Sequence, residues 1–551
     1  MKKQNILKSI FIIITLSMLI GSCRKNELKA DKTLSPVYVA TSSNILYKEG
    51  TSTLTGGNKR NPYTVSNMAA AWQNLAGRGI LPSGKAGVYT THYYVKFKPQ
   101  NTSQYEDLQS DTSLDIYDLP IESTVIRNGD YYHDPELADS VPTYQYTAVK
   151  AGYVFSSDIP YEIIDSLYIP ETDSIFDYEN GGTQDLFVDK LLNQAYTQAG
   201  NYEDTIALDN LSAYEARYTP GGRIRVFDTR LSEWIGMEGI KVKARRWFIT
   251  YTGYPDYGGY YRMNHGFKRP CNYSVWFGNA LFAVRHNLVN TTYWINGPKI
   301  SGDWNYDLNN GYQRFAGHVF RGAYRYQFKD IGGLKRPWFS SIGKRQIYIA
   351  KNGYKSSSGI NWIIFPVIRI ARYEDENGSE YDSDEIFSTT CHETAHTSHM
   401  LRMNGDIIQF AQVDAQLQES WAVAIEWYLS HIEYAERGIS NYGEADYYPD
   451  NYPQYPNDYA YQYWNGGVHK KYTSLYINIV DTVNELNKIY TGYGLGTVDD
   501  KVNGYTLPAF EKSMLKHSYG LSSLGVQLKA NKPAGITDEQ IDLLLSFYKF
   551  N

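Results

Sequence analysis

Cysteine is nearly absent: the 551-residue chain holds three, Cys23, Cys271 and Cys391. Spaced so far apart, they make no disulfide framework, so the fold must rest on packing. Basic runs are missing too. The formal charge is −6, and no stretch gathers enough Lys and Arg to track a phosphate backbone, which argues against a nucleic-acid partner. Beyond the first two dozen residues no apolar run is long enough to cross a bilayer. Histidine is sparse at 11 residues, so a tight group of histidines carries information.

Such a group exists. Cys391-His392-Glu393-Thr394-Ala395-His396 contains an H-E-x-x-H pattern. Residues four apart lie on one face of an α-helix, one turn above each other. His392 and His396 can then hold one zinc ion, with Glu393 placed to take a proton from its water. A chain of this size and composition would show the pattern by chance about once in 100 cases.

A catalytic zinc needs three protein ligands and one open position. The metzincin pattern would put Gly at 399 and His at 402; here those residues are His399 and Arg402, so that arrangement is excluded. The alternative is a carboxylate on a second helix. Val413 to Glu436 has neither Pro nor Gly, and Val413, Leu417, Trp421, Ala424, Ile425, Tyr428 and Ile432 form an apolar stripe at helical spacing. Glu419 and Glu426, seven apart, share a second face with Ala415, Ala422 and Val423. Small residues beside a carboxylate suit close packing on a neighbouring helix. Glu419, Glu426 and Asp414 are the candidates for the third ligand. His399 lies about 10 Å along the helix from His392, too far for one ion to bridge. It either orients a neighbouring group or lines the floor of the cleft.

With Glu419-Ser420-Trp421-Ala422 following His396 after 22 residues, the chain resembles the gluzincin metallopeptidases over roughly residues 311–435. The resemblance implies a zincin domain, a zinc ion held by His392, His396 and Glu419, and Glu393 as general base. It also implies a peptide substrate paired with an edge strand. A Tyr or His steadies the oxyanion in that family; His431 and the Tyr-rich segment Asn441–Trp464 are candidates.

The N-terminus has its own order. Lys2, Lys3 and Lys8 precede an apolar run from Ile10 to Ile20, and Ile20-Gly21-Ser22-Cys23 resembles a bacterial lipobox. That resemblance implies cleavage before Cys23 and a lipid on its sulfur; the alternative is an uncleaved anchor helix. Removing the three lysines takes the net charge from −6 to −9. The expected location is a bacterial membrane, the outer one, with the body facing the periplasm or the exterior.

The expected fold class is multidomain α+β. After the leader, 1–23, and a tether, 24–60, comes a mixed α/β-rich domain over 61–214 with no motif tied to chemistry. It opens with a helix at Ser66–Leu75 and turns to short strands such as His92–Lys98 and Leu114–Tyr117. In 217–282, Ile224, Val226, Ile240, Val242 and Ala244 alternate with charged residues, the period of half-buried strands. This segment resembles the carboxypeptidase regulatory-like β-sandwich modules. The mostly helical third domain, 294–551, carries a small sheet. It contains a helix through Tyr312–Tyr324, strands at Gln346–Ala350 and Trp362–Ala371, and later helices near Lys471–Ile489, Leu507–Lys516 and Asp538–Tyr548. Pro366 should put the second strand at an edge or in a bulge.

The functional expectation is a cell-surface zinc peptidase acting on proteins or glycoproteins. The rival expectation is a surface lipoprotein that binds glycan or protein without chemistry, motivated by 52 tyrosines against 20 phenylalanines. A mucin-directed glycopeptidase would combine the two.

Overall fold

The computed structural model describes residues 46–80, 87–173, 183–206, 217–286, 291–309, 311–337, 345–350, 357–361, 365–373, 378–403, 407–439, 471, 473–482, 484 and 499–549. The leader, the lipidation candidate Cys23, most of the tether and the segment Asn441–Trp464 lie outside them. Helices and several sheets combine in a multidomain α+β chain. Its described residues fall into two compact units, one within 39–226 and 234–312, the other within 227–233 and 313–551. Among the described residues no helix is long and apolar enough to cross a membrane.

The first unit is rich in sheet. Its opening helix, Val65–Gly77, starts where Thr64 Oγ1 accepts the Asn67 N–H at 3.2 Å. It buries Met68, Ala71, Trp72 and Leu75, a helical i, i+3, i+4, i+7 stripe, and packs on the helix Thr183–Ala199. His92–Phe97 is the centre of an antiparallel sheet, between Gln145–Lys150 and Tyr161–Leu167. Leu114–Tyr117 is not a strand: only Tyr117 bridges to Tyr146, so the backbone makes one contact and no ladder.

Strands between 221 and 308, all but 227–233 in the same unit, build two further sheets. Ile249–Gly253, Lys241–Arg246, Cys271–Trp276 and Trp294–Ile300 form one in that spatial order; Tyr260–Arg262, Gly221–Asp228 and Trp304–Leu308 belong to the other. Ile224, Val226, Ile240, Val242 and Ala244 are fully buried, as their alternation requires. Two of the strands lie beyond Phe282. Trp294–Ile300 pairs with Cys271–Trp276, and Trp304–Leu308 runs parallel to Gly221–Asp228. Such pairing is long-range, and local pattern does not reveal it.

The second unit holds the H-E-x-x-H motif. Helix α1, Gly311–Phe328, is followed by strands β1, Arg345–Ala350, β2, Ser357–Asn361, and β3, Phe365–Ala371. β3 pairs with β1 in parallel and with β2 in antiparallel. It is therefore flanked on both sides, and Pro366 is not on an edge. The missing N–H is tolerated because Pro366 is the second residue of β3, and the ladder to β1 begins only at Val367.

Helix α2, Ser383–Arg402, and helix α3, Ala415–Glu436, pack along each other. At the start of α2 the Glu385 carboxylate accepts the Asp382 N–H at 2.6 Å. Asp384 and Glu385 occupy its first turn and Arg402 its last, as the helix dipole favours. Glu511 ties down the far end, accepting from Ser398 at 3.1 Å and pairing with Arg402 at 3.2 Å. Phe387, Cys391 and Ala395 of α2 share one core with Leu417, Trp421, Ala424 and Ile425 of α3. Leu475, Leu524 and Ile541, from the helices Leu475–Val480, Leu521–Ala530 and Asp538–Phe547, close it. The expected helix at Leu507–Lys516 is one α turn that widens to π over Phe510–Met514 and tightens to 3₁₀ over Leu515–His517.

Candidate metal centre

The centre is made by two helices. On α2, His392 and His396 are one turn apart, their rings 4.9 Å from each other and inclined by 79°. On α3, Glu419 faces both. Its Oε2 lies 3.1 Å from His396 Nε2 and 3.3 Å from His392 Nε2. All three residues are buried, and one ligand atom from each falls within a 4.8 Å group. Two ligands on a tetrahedral zinc at about 2.0–2.1 Å would sit about 3.3 Å apart, so the donor set fits such an ion. Burial pushes the Glu419 carboxyl up, but His396 and His392 outweigh it and hold the group well below the usual carboxylate range.

Glu393 follows His392 on α2 and is fully buried.

The alternatives to Glu419 have other partners. Asp414 is the N-cap of α3, where its Oδ1 accepts the Gln416 N–H at 2.8 Å. Glu426 lies 3.2 Å from His392, but at Nδ1, the nitrogen facing away from Glu419. A carboxylate on the second ring nitrogen fixes the ring's orientation and leaves Nε2 to act as a ligand. His399 stays outside the cluster. It is fully buried, set edge-on to Phe410 at 5.2 Å and to Trp421 at 6.4 Å. Burial, with His396 nearby, lowers its pKa to about 3, so the ring is neutral.

Compared with protein-family models, with curated proteins and with solved structures, the chain matches none. The centre therefore stands on its own geometry.

His431, a candidate oxyanion donor, is misplaced for that task. It lies 12 positions beyond Glu419 on the same helix, about 18 Å along the axis, and its Nδ1 contacts the Trp427 carbonyl at 3.1 Å. Cys391 is buried with a free thiol. Burial, reinforced by Glu426 and Glu433, pushes that thiol well above its ordinary value, so it is inert.

Sequence reasoning missed the support behind the centre. Glu419, Glu426 and Glu433 recur every seven residues and so share one face of α3. Glu433 meets α1, pairing with Arg321 at 2.9 Å and with Arg325 Nε at 2.7 Å. Arg321 also reaches Asp228 at 2.9 Å, and Tyr434 donates to the same carboxylate at 3.0 Å. Burial opposes ionisation of Glu433, but Arg321, Arg437 and Arg325 outweigh it and hold its pKa well below the ordinary value. α1 approaches α2 closely at Gly322, where a Cβ would stand 2.8 Å from Thr390 Cβ. The seven-residue spacing of the glutamates was the available signal; the arginine partners, about 100 residues upstream, gave none.

Proposed function

We propose that the protein is a zinc-dependent peptidase carried on a bacterial membrane by an N-terminal lipid. The observation that carries the reading is the convergence of His392 Nε2, His396 Nε2 and Glu419 Oε2 from two packed helices. These three residues would hold the metal, with Glu426 orienting His392. Zinc bound there supplies a Lewis acid and lowers the pKa of a coordinated water towards about 7. Glu393 accepts the water proton and delivers it to the leaving amine. β2 ends its sheet as paired to β3, and it contacts α2; an extended substrate can add to it by backbone pairing. On this reading the second unit is zincin-like, with a gluzincin ligand set. Residues 217–282 correspond to a carboxypeptidase regulatory-like module, completed by strands up to Leu308.

The deciding experiment pairs metal analysis with cleavage of a mixed peptide and glycopeptide library. One zinc per chain with cleavage supports the peptidase. Zinc without cleavage of any library member moves the non-catalytic binding protein ahead. The anchor is tested separately: Cys23→Ser should release the protein from the membrane fraction. Retention after a carbonate wash would replace the lipid with an uncleaved helix.

A further inference from the structure

The sheet-rich unit carries a second site of different chemistry. Directly paired residues share a sheet face, as do residues two apart on a strand. Register places Thr250, Arg245, Asn272 and Lys299 in one row. Thr252, Lys243, Ser274 and Asn296 form the next, and Lys241, Trp276 and Trp294 the third. The opposite face carries Val242, Ala244, Tyr273 and Val275, all fully buried. One face is thus apolar core. The other holds four cations, seven hydrogen-bonding or aromatic neutrals in these rows, and no acid in them.

These cations are not simply solvated. Lys243 is only 6% exposed and lies over the rings of Tyr117 and Trp276, at 4.6 and 4.4 Å. Burial lowers its pKa to about 8. Arg245 stacks on Tyr117 at 4.7 Å, and its Nη1 donates only to the carbonyls of Ile121 and Trp247, at 3.3 Å each. Among the described residues neither Lys243 nor Arg245 has a carboxylate at ion-pair distance; Asp115 and Asp118 act on Lys243 from further away. Only Lys299 is paired, with Asp204.

A cavity of about 240 Å³ opens on this face, against Arg245, Asn272, Asn296, Lys299 and Trp247; the acids Glu122 and Asp204 also line it, outnumbered by its cations. It is smaller than the roughly 300–1,000 Å³ of drug-sized pockets, so it suits a single ring. Trp247 holds φ at 47°, a left-handed backbone that is unfavourable for so large a side chain. Its ring lines the cavity, with Nε1 donating to Asp204 at 3.3 Å.

We propose that this face binds a sugar bearing a carboxylate, a uronic or sialic acid. Arg245 receives the carboxylate, since its planar guanidinium matches that group and among the described residues no carboxylate lies at ion-pair distance from it; Glu122 acts on it from further away. Asn272 and Asn296 offer amide donors and acceptors to ring hydroxyls, and Trp247 offers an apolar wall.

The test is calorimetry on leaderless full-length protein with glucuronic acid, N-acetylneuraminic acid, glucose, N-acetylglucosamine and triglutamate. The acidic sugars should bind at least about ten-fold tighter than the neutral ones, the scale of a hydrogen bond to a charged group. Arg245→Met should erase that preference. If Arg245→Met loses its fold, Arg245→Lys, which keeps the charge but not the planar fork, should still cut the preference. Equal binding of acidic and neutral sugars, no binding of acidic sugars at millimolar concentration, or equal binding of triglutamate overturns the proposal. Zinc-stripped protein should behave identically, so failure here leaves the peptidase reading untouched.

Discussion

Two regions, helix α3 and one face of a sheet, bury charge in opposite ways. Along α3 of the helical unit, Glu433 is met by arginines, Glu426 by His392, and Glu419 by two histidines. On the polar face of the sheet-rich unit, Lys243 and Arg245 rest on aromatic rings and carbonyl oxygens instead. A buried charge is costly unless it is paired. Where both signs are present, as at Glu433, the arrangement is complete and holds helices together. Where donors converge, as at Glu419, or cations gather away from carboxylates, as at Arg245, the proposed ligands would restore the balance. The comparison thus separates scaffold from site by charge alone.

The largest expected effects fall at the head of α3's carboxylate series. His396→Ala should lose both zinc and activity, because two ligands hold zinc poorly. Glu393→Gln should keep zinc near the wild-type content while cleavage falls about 100-fold or more. Wild-type cleavage by the Glu393→Gln variant would remove Glu393 as the base.

The scaffold end should respond in stability. Arg325→Met breaks a fully buried pair and should cost about 3 kcal/mol, the low end for such pairs because Arg321 and Arg437 still reach Glu433. Denaturant unfolding followed by limited proteolysis should show the helical unit opening first. If both units lose stability equally, the network is not local scaffold. The same pairing sets a pH dependence. The folded pKa of Glu433 is depressed, so its contribution is present above the unfolded value of about 4.3 and fades as pH falls below it. The Tm of metal-free protein should therefore drop below about pH 4, and Glu433→Gln should flatten that slope. Parallel losses in the two proteins would assign the acid sensitivity elsewhere.

A smaller effect belongs to the middle of the series. Glu426→Gln keeps the shape but weakens the hold on His392 Nδ1, and zinc affinity should fall about 10- to 100-fold. Competition with a chromophoric chelator measures it directly. Unchanged affinity would make Glu426 part of the scaffold and move the boundary between site and scaffold up to Glu419.

Much of this was legible from local spacing. The four-residue step of His392 and His396 requires a helix to be useful, and α2 provides it. The stripe of Leu417, Trp421, Ala424 and Ile425 announced α3 and its buried face. The alternation around Val242 announced a strand with one apolar side. Each pattern is written within a few residues, because helix and strand periods are local properties of the backbone. The chain also displayed Asp414, Glu419 and Glu426 side by side as possible third ligands, and nothing local ranked their geometry. Only the packing of α3 on α2 made the first a cap, the second a partner of both Nε2 atoms and the third a partner of Nδ1. Strand order was equally hidden. Pro366 in a flanked strand, and Trp294–Ile300 joining a sheet begun fifty residues earlier, follow from long-range pairing. Sequence by itself determined which elements form and which chemistry they carry. Tertiary structure decided which side chains meet, because helix docking and sheet register depend on contacts between residues far apart in the chain, where local periodicity carries no information.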